Sequence, residues 1–114
     1  VNVSLHNKAA GCLILNRARV RWFLSLDYND IPEGIKAKGQ RTYRSITIEG
    51  DELEFSDGFT DLHTVSYQEI LAGRGYGLSD ARSSIQMVHH IRNAQPIGLR
   101  GEYHPFCKKI NINK

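Results

Sequence analysis

The order of two hydrophobic periodicities along the chain limits the folds that it can adopt. In several segments before residue 56, apolar and polar residues alternate with a period of two, as in β-strands that bury one face. After residue 57 the apolar residues recur every three or four positions, as on amphipathic helices. Strands followed by helices predict an α+β fold with an open, mainly antiparallel sheet.

Turn signals divide the first half into five predicted strands, at residues 1–6, 11–16, 19–27, 42–49 and 52–55. Gly50-Asp51 has the composition of a two-residue hairpin turn. The stretch 28–41 contains Pro, Gly and Lys without periodicity, so it is predicted to be a loop.

Two helices are predicted in the second half, at 58–73 and from an N-cap at Ser79 to about Ala94, followed by an extended tail. The glycines of "GRGYG" follow the first helix, whereas phosphate-binding glycine loops open a helix. They therefore predict a helix C-cap and turn.

The predicted sheet has one apolar and one mixed face, and two helices can cover only one of them. The apolar set, expected beneath the helices, is Val20, Trp22, Leu24, Ile46 and Ile48. The mixed set is Asn2, Ser4, His6, Arg21, Phe23, Ser25, Tyr43, Ser45 and Thr47. Arginine, aromatic rings and hydroxyls are typical of a binding surface or a polar subunit interface, so we expect this face to be open and functional.

Composition excludes several classes of protein. The net charge is +3, but Lys and Arg are scattered, and the three arginines of residues 16–22 favour a strand with solvated side chains over a nucleic-acid patch. Cys12 and Cys107 are isolated, which argues against a metal site and a disulfide framework. No apolar run is long enough to cross a membrane and no signal-peptide pattern is visible, so a cytoplasmic location is expected.

Strand periodicity begins at the first residue, and the chain has no initiator Met. Both features predict that the chain is a piece of a longer protein.

Histidines raise the question of function. His89 and His90 are predicted to lie on the helix surface, and His104 to have a structural role. His63 and Ser66, in contrast, share a helix face with Phe59, Leu62, Tyr67 and Ile70. A hydrogen-bonded core histidine is the favoured interpretation, with direct or indirect contact to a substrate as the alternative.

Taken together, three segments are distinctive: "RVRWFLSLD", the run from "TYRSITIEG" to "HHIRNA", and "GEYHP". They resemble the C-terminal part of Gfo/Idh/MocA oxidoreductases, and most closely the branch that oxidises UDP-N-acetylglucosaminuronic acid with a nicotinamide cofactor in surface-polysaccharide biosynthesis. The run "FTDLHT.SY..IL.G.G.G" is specific to that branch.

The resemblance implies a single domain over residues 1–114 that serves substrate binding and oligomerisation. It also implies an N-terminal Rossmann domain with a GxGxxG loop, a catalytic Lys in an E-K-P-like segment, and an Asp-x-x-x-His pair near the start of the C-terminal domain. None of these three motifs occurs in this sequence. We therefore expect no catalytic residue here and no NAD bound by this chain, although the parent enzyme would use NAD.

Within this interpretation, side chains suited to a nucleotide-sugar diphosphate are Arg21, Tyr43, Arg44, Ser45, Thr60 and His63. Homo-oligomers, dimers or tetramers, are expected to form through the open sheet face. The alternative function is a free-standing binding or assembly module that uses the same face.

Overall fold

The α+β class and the antiparallel pairing are confirmed, but the strands form two sheets. The computed structural model describes residues 1–57 and 60–110. The first sheet has the order β1 (Val3–Ser4), β2 (Lys8–Ile14), β3 (Arg19–Ser25), and the second pairs β4 (Ser45–Ile48) with β5 (Asp51–Glu54). The helices are α1 (Glu33–Lys36), α2 (Leu62–Leu71) and α3 (Leu78–Asn93), with 3-10 helices at Tyr28–Asp30 and Pro105–Lys109.

The register of the first sheet differs from the predicted one at its first strand. Val3 lies opposite Ala10, which lies opposite Phe23. Residues directly opposite each other in antiparallel strands share a face. Val3 therefore lies on the Phe23 face, and the prediction that placed Ser4 beside Phe23 is wrong. The cause is the turn between β1 and β2, because a shift of one residue moves every side chain of a strand to the other face.

The Phe23 face is covered by residues 103–110, here called the C-terminal strap. Val3, Ala10 and Cys107 form the buried apolar core, and Phe23, Tyr103 and Ile110 pack around it. The predictions of an extended tail and of an open face around Phe23 are wrong. Apolar residues of the strap cover the centre of this face.

On the opposite face of the first sheet, the main side-chain contact is made by the indole ring of Trp22. The Trp22 indole lies over Gly11, where an added Cβ would be only 2.8 Å from Cζ2. Val20 and Leu24, predicted to lie beneath the helices, are 40% and 66% exposed. The prediction that the helices cover this face is wrong, because neither α2 nor α3 has a buried residue.

The chain as a whole exposes far more surface than a compact monomer. Its radius of gyration is 16.9 Å, against about 13 Å for a compact chain of this length. The accessible surface is 9802 Å², whereas a compact protein of this mass exposes about 6,300 Å². The difference, about 3,500 Å² on one chain, is several times the roughly 800 Å² that each partner buries in a standard interface.

Two segments outside the strands are fixed by local bonds. The predicted loop 28–41 contains a 3-10 helix and α1, and Lys8 Nζ contacts Asp30 Oδ2 at 2.8 Å and Asp27 Oδ2 at 3.3 Å. The prediction of a loop is therefore wrong for Tyr28–Asp30 and Glu33–Lys36. The C-cap predicted at "GRGYG" is confirmed, because Gly73 has φ +79° and the N–H groups of Gly73 and Arg74 donate to Ile70 O and Glu69 O.

Candidate functional site

The six predicted substrate residues lie on three parts of the fold. Arg21 projects from β3, Tyr43 to Ser45 lie at the start of β4, and Thr60 and His63 flank the start of α2. β3 and β4 belong to different sheets, and α2 has no extensive contact with either. Within residues 1–57 and 60–110, the chain does not by itself assemble these six side chains into one pocket.

His63 and Ser66 are exposed, as is every residue of α2 except Glu69, which is half-buried. The core-histidine interpretation of His63 is therefore wrong for this chain. Helical periodicity identified a face that needs a partner, but the described residues of that face are all exposed. Phe59, predicted on the same face, lies outside the described residues.

The start of the second hairpin is the most ordered of the predicted site segments. The Tyr43 hydroxyl donates to the Glu52 carboxylate, and this carboxylate raises the pKa of Tyr43. The Arg44 backbone is fixed at both groups: its N–H donates to Ser56 Oγ at 2.9 Å, and its carbonyl accepts from Phe55 N at 2.8 Å. Hydrogen bonds thus fix the Arg44 backbone and the Tyr43 side chain at the start of this strand.

A second group of side chains lies near Arg21, where the C-terminal strap meets β3. The His104 ring stacks on Phe23 with centroids 5.7 Å apart and meets Phe106 edge-on at 5.0 Å. Lys109 Nζ lies 5.2 Å from the centroid of the Phe106 ring. Arg21 and Lys109 therefore place two cations beside an aromatic cluster, an arrangement that suits an anionic ligand carrying a planar ring.

His104 is uncharged in this setting. Its Nδ1 accepts a hydrogen bond from Phe106 N at 3.2 Å, and only an unprotonated nitrogen can accept. Burial, together with the Arg21 guanidinium, lowers the pKa of His104 below its usual value. The structural role predicted for His104 is borne out by this cap, whereas the contributions of Phe106 and Lys109 were not foreseen. The only sequence signal was the short run "GEYHPF".

The basic run 16–22 does not form a continuous cationic patch. Arg19 Nη1 pairs with Glu102 Oε1 at 2.7 Å, and Cys12 Sγ lies 3.9 Å from the other oxygen of that carboxylate. The Glu102 carboxylate offsets the Arg19 charge, which supports the interpretation as a strand with individually placed arginines.

Metal-binding geometry is absent from the described part of the chain, where no group of three or more His, Cys, Asp or Glu residues is placed to hold an ion. His89 and His90 lie on the exposed surface of α3, as predicted, with ring centroids 6.0 Å apart.

No helix in residues 1–57 and 60–110 is both long and apolar enough to cross a membrane.

Comparison with known proteins identifies the fold with part of a dehydrogenase. No protein-family model matches the chain. The WlbA (WbpB) dehydrogenase from Thermus thermophilus, in complex with NAD and α-ketoglutarate, is similar over 92% of this chain, with a TM-score of 0.86 and 45% sequence identity. A structure of the WlbA (WbpB) dehydrogenase from Thermus thermophilus in complex with NAD and UDP-GlcNAcA gives the same TM-score and coverage at 42% identity.

The chain spans only 34% of the length of these structures. The matched part has the α+β architecture of the C-terminal domain of the dehydrogenase. The resemblance to the UDP-N-acetylglucosaminuronate dehydrogenase branch, predicted from "FTDLHT.SY..IL.G.G.G", is therefore confirmed.

Proposed function

We propose that this chain is the C-terminal domain of a cytoplasmic, NAD-dependent enzyme that oxidises a UDP-linked acetamido-sugar uronic acid for surface-polysaccharide biosynthesis. The observation that carries the proposal is the similarity, at 42% identity and a TM-score of 0.86, to part of a dehydrogenase in complex with NAD and UDP-GlcNAcA. Identity at this level over 92% of a chain supports a shared fold and a shared type of substrate.

Within this enzyme, the chain would contribute to substrate binding and to assembly. The sequence contains no GxGxxG loop, so the pyrophosphate of NAD would be held by a Rossmann domain in the rest of the polypeptide. The excess exposed surface supports this division, because a domain with so small a core needs further contacts to be stable. Those contacts would come from the remainder of the polypeptide and from homo-oligomerisation, as a dimer or tetramer.

Six side chains of this domain are proposed to contact the nucleotide sugar or to support residues that do: Arg21, Tyr43, Arg44, Ser45, Thr60 and His63. Arg21 is the strongest of them, because its guanidinium is exposed on β3 beside the aromatic cluster at the strap. A guanidinium pairs with phosphate oxygens through two parallel hydrogen bonds, which suits the diphosphate of a nucleotide sugar. The rest of the enzyme would bring the three segments together.

The activity is tested on the full-length gene product. UDP-GlcNAcA and NAD are mixed with the enzyme, and NADH is followed by its absorbance. A parallel reaction contains α-ketoglutarate, since a 2-oxo acid can accept a hydride from NADH and be reduced to a 2-hydroxy acid. NADH formation or reduction of the 2-oxo acid, dependent on the sugar nucleotide, supports the proposal; neither product with any UDP-sugar uronic acid would refute it.

Site residues are tested by substitution in the same enzyme. Arg21→Ala and Arg44→Ala are expected to raise the KM for the nucleotide sugar by about one to two decades and to leave the KM for NAD nearly unchanged. The reason is that one lost charge-assisted hydrogen bond costs about 1.5–3 kcal/mol. Arg17→Ala is the matched control, because Arg17 is an exposed residue of the turn before β3. If the Arg21 and Arg44 variants behave like the control, these arginines do not bind substrate.

A further inference from the structure

The C-terminal strap is attached to the first sheet around one histidine. His104 Nδ1 accepts from Phe106 N at 3.2 Å, and the His104 carbonyl accepts from Cys107 N at 2.9 Å. The imidazole also stacks on Phe23 of β3. One residue therefore caps the 3-10 helix of the strap and makes the aromatic contact with the sheet.

The strap in turn covers the core. Cys107 and Ala10 are both 0% exposed, and Val3 is 4% exposed. Tyr103 and Ile110, at the two ends of the strap, pack against the same cluster. Because the buried apolar core has no other members in the described part of the chain, detachment of the strap would expose it.

Burial and the Arg21 guanidinium oppose a positive charge on the His104 ring. Phe23 and Phe106, which also contact each other, shield part of the imidazole from water. Arg21, from β3, is the charged group that acts on the ring, and Lys109, from the strap, lies over Phe106. The nearby carboxylate of Glu102 is held by Arg19 at 2.7 Å. Protonation would also remove the Nδ1 acceptor, and the Phe106 N–H would lose its partner.

We propose that residues 103–110 form a pH-sensitive strap, held on the sheet by the neutral imidazole of His104 and detached from it by protonation of that ring. The released face contains Val3, Ala10 and Phe23 next to Arg21. Acidification would thus open a surface that is closed at neutral pH. The inference concerns this chain alone and does not depend on the activity of a larger enzyme.

The direction of the pH dependence follows from the two states of the histidine. In the detached strap His104 titrates near its ordinary value of 6.5, whereas in the attached strap burial and Arg21 lower its pKa. Between the two values only the detached form carries the proton, so acid favours detachment. A single proton of this kind changes the detachment equilibrium by at most about tenfold per pH unit.

Detachment can be measured through the reactivity of the Cys107 thiol, because this strap residue is fully buried while the strap is attached. A Cys12→Ser chain contains Cys107 as its one thiol, and its reaction with 4,4′-dithiodipyridine is followed between pH 7.5 and pH 5, a range chosen to bracket the ordinary histidine value. Rates are divided by those of a Cys107 peptide under the same conditions, which removes the intrinsic pH dependence of the thiol. Amide exchange of β2 and β3 is recorded in parallel.

The expected result is a normalised rate that rises by up to about tenfold per pH unit below pH 6.5 while the β2–β3 amides stay protected. His104→Asn should abolish the pH dependence, because the asparagine side-chain oxygen can accept from Phe106 N but does not titrate here. Arg21→Gln should make the total rise smaller, since removal of the positive charge brings the pKa of His104 in the attached strap closer to its ordinary value. His6→Asn, at an exposed histidine, is the control that should change nothing.

Three outcomes would overturn the proposal. One is a normalised rate that does not depend on pH in the Cys12→Ser chain. Another is a pH dependence that persists in the His104→Asn chain. If that variant does not fold, the same conclusion follows from a rate-against-pH curve of Arg21→Gln that coincides with the parent curve. The third is a loss of protection in β2 and β3 at the same pH, which would indicate global unfolding.

Discussion

Asn2 joins the two ends of the chain, and its replacement is expected to destabilise the fold through a small number of identifiable bonds. The residue is 3% exposed, and its Nδ2 donates to Gly98 O at 2.9 Å and to Arg100 O at 3.3 Å. The backbone repeats the connection, because the N–H groups of Ile97 and Gly98 donate to Val1 O and Asn2 O. The side chain therefore fixes the segment between α3 and the strap to β1.

Two substitutions of Asn2 distinguish the loss of these hydrogen bonds from the effect of a buried carboxylate. Asn2→Ala removes both donors, and at about 1 kcal/mol for each net hydrogen bond the free energy of unfolding should fall by about 2 kcal/mol. Asn2→Asp keeps the shape but directs a carboxylate at two carbonyl oxygens. A buried charge without a partner costs about 3–5 kcal/mol, so this variant should be the less stable of the two.

Urea unfolding followed by circular dichroism measures both effects. With a slope of about 1.5 kcal/mol per molar urea, the midpoint of Asn2→Ala should fall by roughly 1 M. Asn16→Asp, at an exposed asparagine in the turn before β3, is the control for a carboxylate and should leave the midpoint within a few tenths of a molar. At lower pH the Asn2→Asp deficit relative to the parent should shrink, since a protonated carboxyl regains one donor.

The reasoning would be refuted if Asn2→Ala unfolded within about 0.5 kcal/mol of the parent, the range typical of surface substitutions. Equal stabilities of Asn2→Asp and Asn2→Ala would show that water, rather than the two carbonyl oxygens, faces this side chain.

Three further predictions concern other parts of the chain. Gly11→Ala should cost about 1–3 kcal/mol and change the Trp22 fluorescence, because the new Cβ would meet the indole at 2.8 Å, whereas Gly34→Ala, with no atom within 4 Å, should be nearly neutral in the same urea assay. Asp30 first and then Asp27 raise the pKa of Lys8, so this residue contributes a stabilisation that is present below pH 10.5 and lost above it. Lys8→Met should remove that stabilisation, and the stability curves of the variant and the parent should therefore converge at high pH. Calorimetry with this chain should detect no micromolar binding of NAD, since a sheet face does not replace a glycine-rich loop at a helix N-terminus; measurable binding would contradict the division of labour proposed above.

Local signals in the sequence were sufficient where the structure depends on neighbouring residues. The alternation in "RVRWFLS" predicted β3, because strand period is set within a few residues. The turn signal also predicted the β4–β5 hairpin, but the two turn residues are Glu49 and Gly50 rather than Gly50 and Asp51, since Asp51 pairs with Ile48. The apolar stripe and the flanking residues placed α3 within two residues at its start and one at its end, but the N-cap is Gly77 and the prediction of Ser79 is wrong. The dehydrogenase resemblance was also available from sequence, since it rests on residue identities in order.

Only the tertiary structure decided which faces are covered. "GEYHPF" has no periodicity, and its role depends on Phe23, about eighty residues earlier in the chain. The side on which Val3 lies was decided by the turn after β1, where a shift of one residue inverts a strand. The helix face that contains His63 shows the converse case. Amphipathicity indicates that a face is suited to burial, but a packing partner determines whether it is buried. In this chain that face is exposed.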